Sequence, residues 1–328
     1  MFPIINKTDP RPCAGGFVHM KAFSKINLIL EVMGKRPDGY HELVSVMQSL
    51  ALHDTITIRV NGSPHTNEDN FQLICSDPSL PTDDRNLVTR AAKYMMQKYG
   101  ITQPVSIQLE KRIPVAAGLA GGSSNCAATL LGLNSLFDLG IPLHSISQTS
   151  LMEIGQRFGA DVPYCLMANA VLNESSPGSI ALPSGTTALA KGIGEKLTPL
   201  PPHPSTWVVL VCPHIPVSTE DIFGRYNAPT LPQTETPYIT TMLQALESGD
   251  INSIAANFKN DLTKVTTSLH PEIKNIISEL LNQGAINAAM SGSGPSVFGY
   301  FTSKEAAEKS QLKLQSVTGR AFLTHTAD

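Results

Sequence analysis

The most informative stretch of this sequence reads Pro114-Val115-Ala116-Ala117-Gly118-Leu119-Ala120-Gly121-Gly122-Ser123-Ser124-Asn125. It follows an apolar segment that alternates like a strand, residues 105–113, and precedes an alanine- and leucine-rich segment that predicts a helix over residues 123–139. Glycine and alanine let the backbone approach a ligand closely, and the first N–H groups of a helix attract an anion such as phosphate. The pattern predicts a phosphate-binding loop; a small-residue turn packed against a neighbouring strand is the alternative.

This loop differs from the two common phosphate-binding motifs. A Walker A loop requires a lysine directly after its last glycine, and no lysine follows Gly122. A dinucleotide fingerprint requires G-x-G-x-x-G and an acidic residue about 20 residues downstream. Here position 120 is alanine, and the nearest downstream acid, Asp138, lies at the end of the same predicted helix. The sequence therefore disfavours both motifs.

A second glycine cluster, Ser291-Gly292-Ser293-Gly294-Pro295, lies between two short apolar segments that predict strands over residues 285–290 and 296–301. By itself this cluster is typical of a tight hairpin turn. Together with the first loop, it would close over the same ligand.

Two charged residues occur in apolar surroundings. Lys25 lies in a predicted strand over residues 21–33, and Asn27 shares its face because side chains alternate along a strand. Asp161 follows the glycine that ends a predicted helix, in the run Gly159-Ala160-Asp161-Val162-Pro163. A lone buried charge is costly, so Asp161 is a candidate partner for Lys25. The pair is either a structural ion pair or a catalytic base held by a cation.

The composition narrows the class of protein. The chain has 328 residues, with 24 Lys and Arg against 27 Asp and Glu. The net charge of -3 disfavours nucleic acid as a partner, and no apolar stretch approaches the roughly 20 residues of a membrane span. The five cysteines form no C-x-x-C pair, which favours reduced thiols over disulfides or a zinc site, and the N-terminus lacks the apolar region of a signal peptide. We therefore expect a cytoplasmic protein without nucleic-acid or membrane partners.

Strands mix with helices in both halves of the chain, which predicts an α+β fold. At roughly 150 residues per domain, the length favours two domains. A cluster of prolines over residues 199–204 indicates the boundary. We predict a mobile N-terminal extension over residues 1–20, a first domain over residues 21–204 and a second over residues 205–328.

Several motifs, in this order along the chain, resemble those of the GHMP small-molecule kinases, and the resemblance covers about residues 21–325. The D-G-Y-H element is the most discriminating among them. The motifs are Ser24-Lys25-Ile26-Asn27-Leu28, Arg36-Pro37-Asp38-Gly39-Tyr40-His41-Glu42-Leu43, the loop of residues 114–125, Gly159-Ala160-Asp161-Val162-Pro163, Gly192-Ile193-Gly194-Glu195, Asn260-Asp261-Leu262 and Ser291-Gly292-Ser293-Gly294-Pro295. The chain departs from the family pattern where Ala120 replaces a usual glycine and Thr263 a usual glutamate, and residues 169–185 resemble an insertion.

The resemblance implies an N-terminal ATP-binding domain, a C-terminal α+β domain and an active site in the cleft between them. It implies an ATP-dependent kinase in which residues 114–124 bind the phosphates of ATP, accompanied by Mg²⁺ for which no protein ligand is assigned. Lys25 and Asp161 would be the catalytic residues. The lysine would neutralise charge on the transferred phosphoryl group, and the aspartate would accept the proton of the substrate hydroxyl.

The same resemblance implies a small-molecule substrate with a cytidyl diphosphate group. Tyr40 and Phe223 would stack on the two faces of cytosine, or else simply pack in the core, and His41 would bond the edge of the base. Asn27 and Thr219 would hold neighbouring polar groups. One alternative is another kinase of the family, acting on homoserine, mevalonate or a sugar. The other is a catalytically silent nucleotide-binding sensor, which is disfavoured because the lysine and the aspartate are both present.

Overall fold

The structure, a computed structural model, describes residues 15–62, 70–145, 148–173, 185–228 and 237–327. Its strands are β1 (Phe17–Lys35), β2 (His41–Val60), β3 (Phe71–Cys75), β4 (Val105–Glu110), β5 (Thr187–Gly192), β6 (Lys196–Pro199), β7 (Trp207–Val211), β8 (Lys259–Asn260), β9 (Asn287–Met290), β10 (Val297–Phe301) and β11 (Ala321–His325). Its helices are α1 (Leu87–Tyr99), α2 (Gly121–Leu136), α3 (Leu151–Gln156), α4 (Val162–Leu172), α5 (Thr219–Arg225), α6 (Pro237–Ser248), α7 (Ile251–Ala256), α8 (Thr263–Leu269), α9 (Pro271–Asn282) and α10 (Lys304–Thr318). This mixture of elements confirms the α+β fold class. No helix in the described part of the chain is long and apolar enough to cross a membrane.

The described residues form two compact units, and neither is continuous in sequence. Unit 1 comprises the described residues within Met1–Ala22, Asp54–Arg112 and Gly122–Leu182, and unit 2 comprises those within Phe23–His53, Ile113–Gly121 and Pro183–Asp328. The long strands β1 and β2 therefore contribute residues to both units. The domain boundaries that the sequence predicts at residues 21, 204 and 205 stay a prediction.

Unit 1 combines strands with the helices α1 to α4. Residues 55–60 of β2 run antiparallel to β4, and β3 runs parallel to β4. Helix α2 is buried without a break from Ser124 to Leu133, and α4 is buried from Val162 to Ala170. Because their sequences are apolar on every side, both helices belong in a core. The residues at their N-termini are therefore held firmly.

Unit 2 contains two sets of paired strands. In the first, β1 runs parallel to β8, and β5 pairs antiparallel with both β2 and β6. In the second, β11, β7, β10 and β9 form a four-stranded antiparallel sheet in that order. Strand β7 is buried on both faces, since Val208 and Leu210 join one hydrophobic cluster and Val209 and Val211 join another. The turn between β9 and β10 contains the second glycine cluster, so the predicted hairpin is confirmed.

The bounds of several predicted elements are wrong, those of β1 and α2 among them. Strand β1 begins at Phe17, inside the predicted N-terminal extension, while residues 1–14 of that extension lie outside the described residues. Helix α2 begins at Gly121, two residues earlier than predicted, and ends at Leu136 rather than at residue 139. It ends there because Asp138 adopts a left-handed backbone conformation (φ +49°), which stops a helix.

The region after residue 145 also differs from the sequence pattern. Helix α3, which corresponds to the helix predicted before Gly159, starts only after Ser150, whose side chain forms a capping box with Glu153. The sequence pattern misses strands β5 and β6 altogether. Most of the proposed insertion, residues 174–184, lies outside the described residues.

Candidate active site

The predicted phosphate-binding loop follows β4 and leads into α2, and its backbone is unusual. Ala116, Gly118 and Ala120 all have positive φ angles, of 52°, 73° and 57°. The left-handed conformation costs a residue with a Cβ atom roughly 1–2 kcal/mol, and glycine avoids that cost. Two alanines therefore hold strained conformations in this loop, and such strain persists only where the surroundings fix the backbone.

Two hydrogen bonds hold the centre of the loop. The backbone N–H of Lys25 donates to the carbonyl of Leu119 (3.1 Å), and the hydroxyl of Ser291 donates to the carbonyl of Gly118 (3.0 Å). Gly118 also lies directly against the second glycine cluster. A Cβ atom on Gly118 would come within 2.5 Å of the Ser291 carbonyl oxygen and 3.0 Å of the Gly294 carbonyl oxygen. The structure therefore brings the two glycine clusters into backbone contact.

The second glycine cluster is itself held by side chains. Asn260 Nδ2 donates to the carbonyls of Met290 and Gly292, at 2.8 Å each. Thr266 Oγ1 donates to the carbonyl of Ser293 (3.2 Å). These bonds fix the hairpin turn in position. The sequence motif that contains Asn260 is part of the family resemblance, but only the structure reveals this supporting role.

Lys25 and Asn27 contact each other on one face of β1, as the alternation of side chains predicts. Lys25 is 4% exposed, and its Nζ donates to Asn27 Oδ1 (2.8 Å). Asn27 Nδ2 in turn donates to Ser45 Oγ (2.8 Å), and Ser45 donates to the Ile29 carbonyl (2.6 Å). The same Asn27 oxygen lies 3.7 Å from the position of a Cβ atom on Gly292. The buried lysine is thus oriented by the amide of Asn27, which Ser45 holds in place, and no sequence pattern marks Ser45 for this role.

The remaining loop residues and Asp161 lie in unit 1. The hydroxyl of Ser123 is 3.9 Å from the position of a Cβ atom on Gly159, two residues before Asp161. The hydroxyl of Ser124 is buried and accepts a hydrogen bond from Asn169 Nδ2 (3.1 Å). Asp161 is the N-cap residue of α4, but its side chain does not cap the helix. Asp161 is therefore the residue at the partly positive end of a buried helix. The pairing of Asp161 with Lys25 stays a prediction.

Two of the predicted cytosine-binding residues, Tyr40 and His41, lie at the turn between β1 and β2. The backbone N–H of Arg36 donates to the Tyr40 carbonyl (2.8 Å), and the Arg36 guanidinium pairs with Asp38 and with Glu42. These contacts close the turn and present the ring of Tyr40, which is 61% exposed and so is not a core residue. Arg36 therefore organises this turn, a role that its place in the sequence motif does not reveal.

His41 and Phe223 are brought together. Their ring centroids are 5.3 Å apart with an interplanar angle of 31°. Phe223 also packs against the hydrophobic cluster of unit 2 that contains Val209. Thr219, one turn earlier on α5, shares a 2.9 Å hydrogen bond with the hydroxyl of Ser293. Helix α5 therefore connects the predicted cytosine site to the second glycine cluster.

The electrostatic surroundings keep His41 neutral near pH 7. Partial burial lowers the pKa of His41 below its usual value of 6.5, and the positive charge of Lys35 lowers it further. A neutral imidazole carries one donor and one acceptor nitrogen. This is the form required to match the mixed donor and acceptor edge of a cytosine.

Within the described part of the chain, no group of three or more His, Cys, Asp or Glu residues is arranged to hold a metal ion.

Two sequence profiles match the chain. The profile described as the GHMP kinases N terminal domain matches residues 86–169, and that described as GHMP kinases C terminal matches residues 242–318. The first match includes the phosphate-binding loop and Asp161. The second includes the motif of Asn260 and the second glycine cluster.

Curated relatives match nearly the whole chain. The 4-diphosphocytidyl-2-C-methyl-D-erythritol kinase of Lachnoclostridium phytofermentans is 42% identical over 94% of this chain and 96% of its own. The protein of the same name from Acetivibrio thermocellus is 38% identical over 94% of this chain and 99% of its own.

Solved structures are similar as well. The crystal structure of a 4-(cytidine 5'-diphospho)-2C-methyl-D-erythritol kinase has a TM-score of 0.73 and 29% identity, and covers 95% of this chain and 100% of its own. Homoserine kinase from Cytophaga hutchinsonii has a TM-score of 0.61 at 17% identity, with coverage of 100% and 97%. At that identity, the second likeness shows the fold alone.

Proposed function

The chain belongs to the GHMP kinase family, and from this premise we propose that it transfers the γ-phosphoryl group of ATP to the 2-hydroxyl of 4-diphosphocytidyl-2-C-methyl-D-erythritol. This reaction is a step of the non-mevalonate, or methylerythritol phosphate, route to isoprenoids. The observation that carries the proposal is the identity of 37–42% to relatives of that name over most of the chain. The turn that presents Tyr40 and His41 beside Phe223 supports the cytidyl part of the substrate.

The loop of residues 114–124 fits the phosphates of ATP. Its small residues leave backbone N–H groups accessible, and its last residues begin a buried helix whose N-terminus favours an anion. The start of the loop is also open, because Val115 is 46% exposed and residues 114–117 line a surface cavity. We therefore assign the nucleotide phosphates to the loop. Ser124 is the member whose hydroxyl already has a partner, Asn169, so its contribution would come from its backbone.

Lys25 and Asp161 are the proposed catalytic residues. As the substrate oxygen bonds to the γ-phosphorus and the bond from that phosphorus to the bridging oxygen breaks, ADP leaves and Asp161 takes the hydroxyl proton. Lys25 offsets the negative charge that builds up on the transferred group. Its ammonium is already oriented by Asn27, so little reorganisation is needed at the moment of transfer. Asn27 therefore serves the substrate site at least partly through Lys25.

Mg²⁺ is the proposed companion of ATP. It would neutralise charge on the phosphates, and it commonly binds through phosphate oxygens, waters and only one or two protein groups. The loop offers small residues and hydroxyls rather than a carboxylate cage, which suits such a site.

The proposed cytoplasmic location rests on a different observation, the free thiols of Cys75, Cys126, Cys165 and Cys212, since a reducing compartment keeps thiols free.

At the cytidyl end, we propose that Tyr40 stacks on one face of the base while Phe223 lies on the other. His41 would exchange hydrogen bonds with the base edge, and Thr219 would hold a neighbouring polar group. Thr219 also shares a hydrogen bond with Ser293, so its side chain would link the cytidyl site to the second glycine cluster.

The test is ADP release with ATP and Mg²⁺ against four acceptors: the diphosphocytidyl methylerythritol compound, homoserine, mevalonate and galactose. We expect release only with the cytidyl compound and a product that is phosphorylated at the 2-hydroxyl. The Asp161→Asn variant, purified in the same way, controls for contaminating kinases. Activity only on another acceptor would replace the proposed substrate. Nucleotide binding without any turnover would instead favour the silent sensor.

A further inference from the structure

We propose that Asp54, Lys111 and Asn125 are positioning residues that hold the two ends of the phosphate-binding loop, and we call them the anchor triad. The inference rests on the proposed function, because it assigns the triad an effect on ATP. Asp54 and Lys111 lie outside the phosphate-binding loop, and Asn125 is the last residue of its sequence motif, directly after the residues 114–124 that are assigned to ATP. All three lie in unit 1, where their side chains contact one another directly.

The contacts of the triad form a closed ring. The Lys111 ammonium pairs with Asp54 Oδ2, and it also donates to Asn125 Oδ1 (3.1 Å). Asn125 Nδ2 donates to the same Asp54 oxygen (2.8 Å). The other oxygen of Asp54 accepts the backbone N–H of Arg112 (2.6 Å). Both ends of the Asn125 amide and both oxygens of the carboxylate are therefore used.

Because of their positions in the chain, these residues join the two ends of the phosphate-binding loop. Lys111 and Arg112 come just before the loop, and Asn125, the fifth residue of α2, directly follows Ser124 at its other end. A single carboxylate on β2 thus binds the entry and the exit of the loop. The distance between those ends is fixed while the strained Ala116 and Ala120 lie between them. A loop with free ends would relax out of such conformations.

Burial supports a role in geometry rather than in stability. The side chain of Asp54 is fully buried and that of Lys111 is 8% exposed. A buried ion pair contributes little net stability, because both charges lose their hydration. Its hydrogen-bond geometry, however, is demanding and excludes other arrangements. We infer that the triad fixes the loop for nucleotide binding and has no direct contact with the transferred group.

The decisive variant is Asn125→Leu. It releases the exit of the loop from Asp54 but leaves the ion pair with Lys111 in place, so no buried charge is left unpaired. The matched control is Asn134→Leu on the same helix, which loses two 3.0 Å hydrogen bonds to the backbone of Ile141 at the end away from the loop. Both variants are compared with the wild type by thermal unfolding, by KM for ATP and for the cytidyl compound, and by direct binding of ADP.

We expect Asn125→Leu to weaken ADP binding and to raise KM for ATP by about tenfold or more, since small misplacements of binding groups have effects of this size. KM for the cytidyl compound should stay within about twofold, and Asn134→Leu should change neither constant by more than that. If both variants raise KM for ATP equally, or if Asn125→Leu leaves nucleotide binding unchanged, the positioning role is wrong.

A second variant tests the proposal in case Asn125→Leu does not fold. The double change Asp54→Leu with Lys111→Met replaces the buried ion pair by apolar side chains of similar size, a replacement that proteins commonly tolerate, and it removes the oxygens that bind Arg112 and Asn125. It should show the same selective loss of ADP binding, and wild-type ADP binding by a folded double variant would overturn the proposal. Because ADP binding needs no acceptor, a wild-type protein that failed to phosphorylate the cytidyl compound would refute the proposed function separately.

Discussion

The backbone of Gly118 lies against the backbone of Ser291, so closely that a Cβ atom on the glycine would be 2.5 Å from the serine carbonyl oxygen. The Ser291 hydroxyl also donates to the Gly118 carbonyl (3.0 Å). Two glycine clusters that are more than 170 residues apart in sequence therefore meet without intervening side chains. Any displacement of one loop must be transmitted to the other.

Gly118→Ala should separate the two clusters. The methyl group has no space, and the φ of +73° is strained for alanine, so we expect the free energy of unfolding to fall by about 2–4 kcal/mol and KM for ATP to rise. Gly224→Ala in α5 is the control, because a Cβ atom there meets nothing within 4 Å. Denaturant unfolding and steady-state kinetics measure both effects. Wild-type stability in Gly118→Ala would mean that the loops do not touch in this way.

Asp161→Asn should separate binding from turnover. The amide keeps the size of the side chain but cannot take a proton, so kcat should fall by about 10²–10⁴-fold while KM for both substrates changes little. Asp138→Asn, the same substitution at an exposed position of unit 1, should leave kcat unchanged. Single-turnover kinetics with quenched samples measure the chemical step. An Asp161→Asn enzyme with near-wild-type turnover would exclude this residue as the base.

The cytidyl site should respond to pH through His41. Burial and the charge of Lys35 lower the pKa of His41 below 6.5. KM for the cytidyl compound should therefore be constant above about pH 6.5 and rise at lower pH, whereas KM for ATP should not change with this titration. Lys35→Met removes the repelling charge and should move that rise to higher pH. His41→Ala should weaken binding of the cytidyl substrate at every pH but leave ATP binding unchanged. An unchanged pH profile in Lys35→Met would contradict this assignment.

The same shift has a consequence for stability. The unfolded chain binds a proton at this histidine more readily than the folded chain does, so the contribution of neutral His41 is present above pH 6.5. It is lost as the pH falls through the lower pKa of the folded state.

Ala120→Gly should stabilise the protein. The alanine occupies a left-handed conformation (φ +57°), and the relief of that strain exceeds the greater freedom that glycine gives the unfolded chain. We expect a gain of about 0.5–1 kcal/mol in the free energy of unfolding. Ala127→Gly within helix α2 should have the opposite sign, with a loss of about 1 kcal/mol. A loss in both variants would show that the strain at position 120 is not released by glycine.

Much of the candidate site is predictable because its motifs are local. The alternation of residues in β1 places Lys25 and Asn27 on one face, and the small residues between a strand and a helix indicate a phosphate-binding loop. The hairpin around Gly292 follows from two short apolar segments and their turn residues. Helix ends are less predictable, as at Asp138, because a single left-handed residue stops a helix without changing its hydrophobic pattern.

Support from distant residues was not predictable. Ser45, which fixes Asn27, and Asn260, which holds the second glycine cluster, are ordinary polar residues in their own segments. Arg36 organises the turn of Tyr40 through contacts that its sequence neighbours alone do not require. Such roles depend on which backbone carbonyls and side chains meet after folding.

The sequence by itself determined the α+β class, the kinase family and the place of the small-residue loop between a strand and a helix, because periodicity and short motifs are properties of neighbouring residues. The tertiary structure alone decided that one buried carboxylate, Asp54, holds both ends of that loop and that Gly118 meets Ser291. The physical reason is that hydrogen-bond partners and close backbone contacts are selected by distance in space. A one-dimensional pattern contains no measure of that distance.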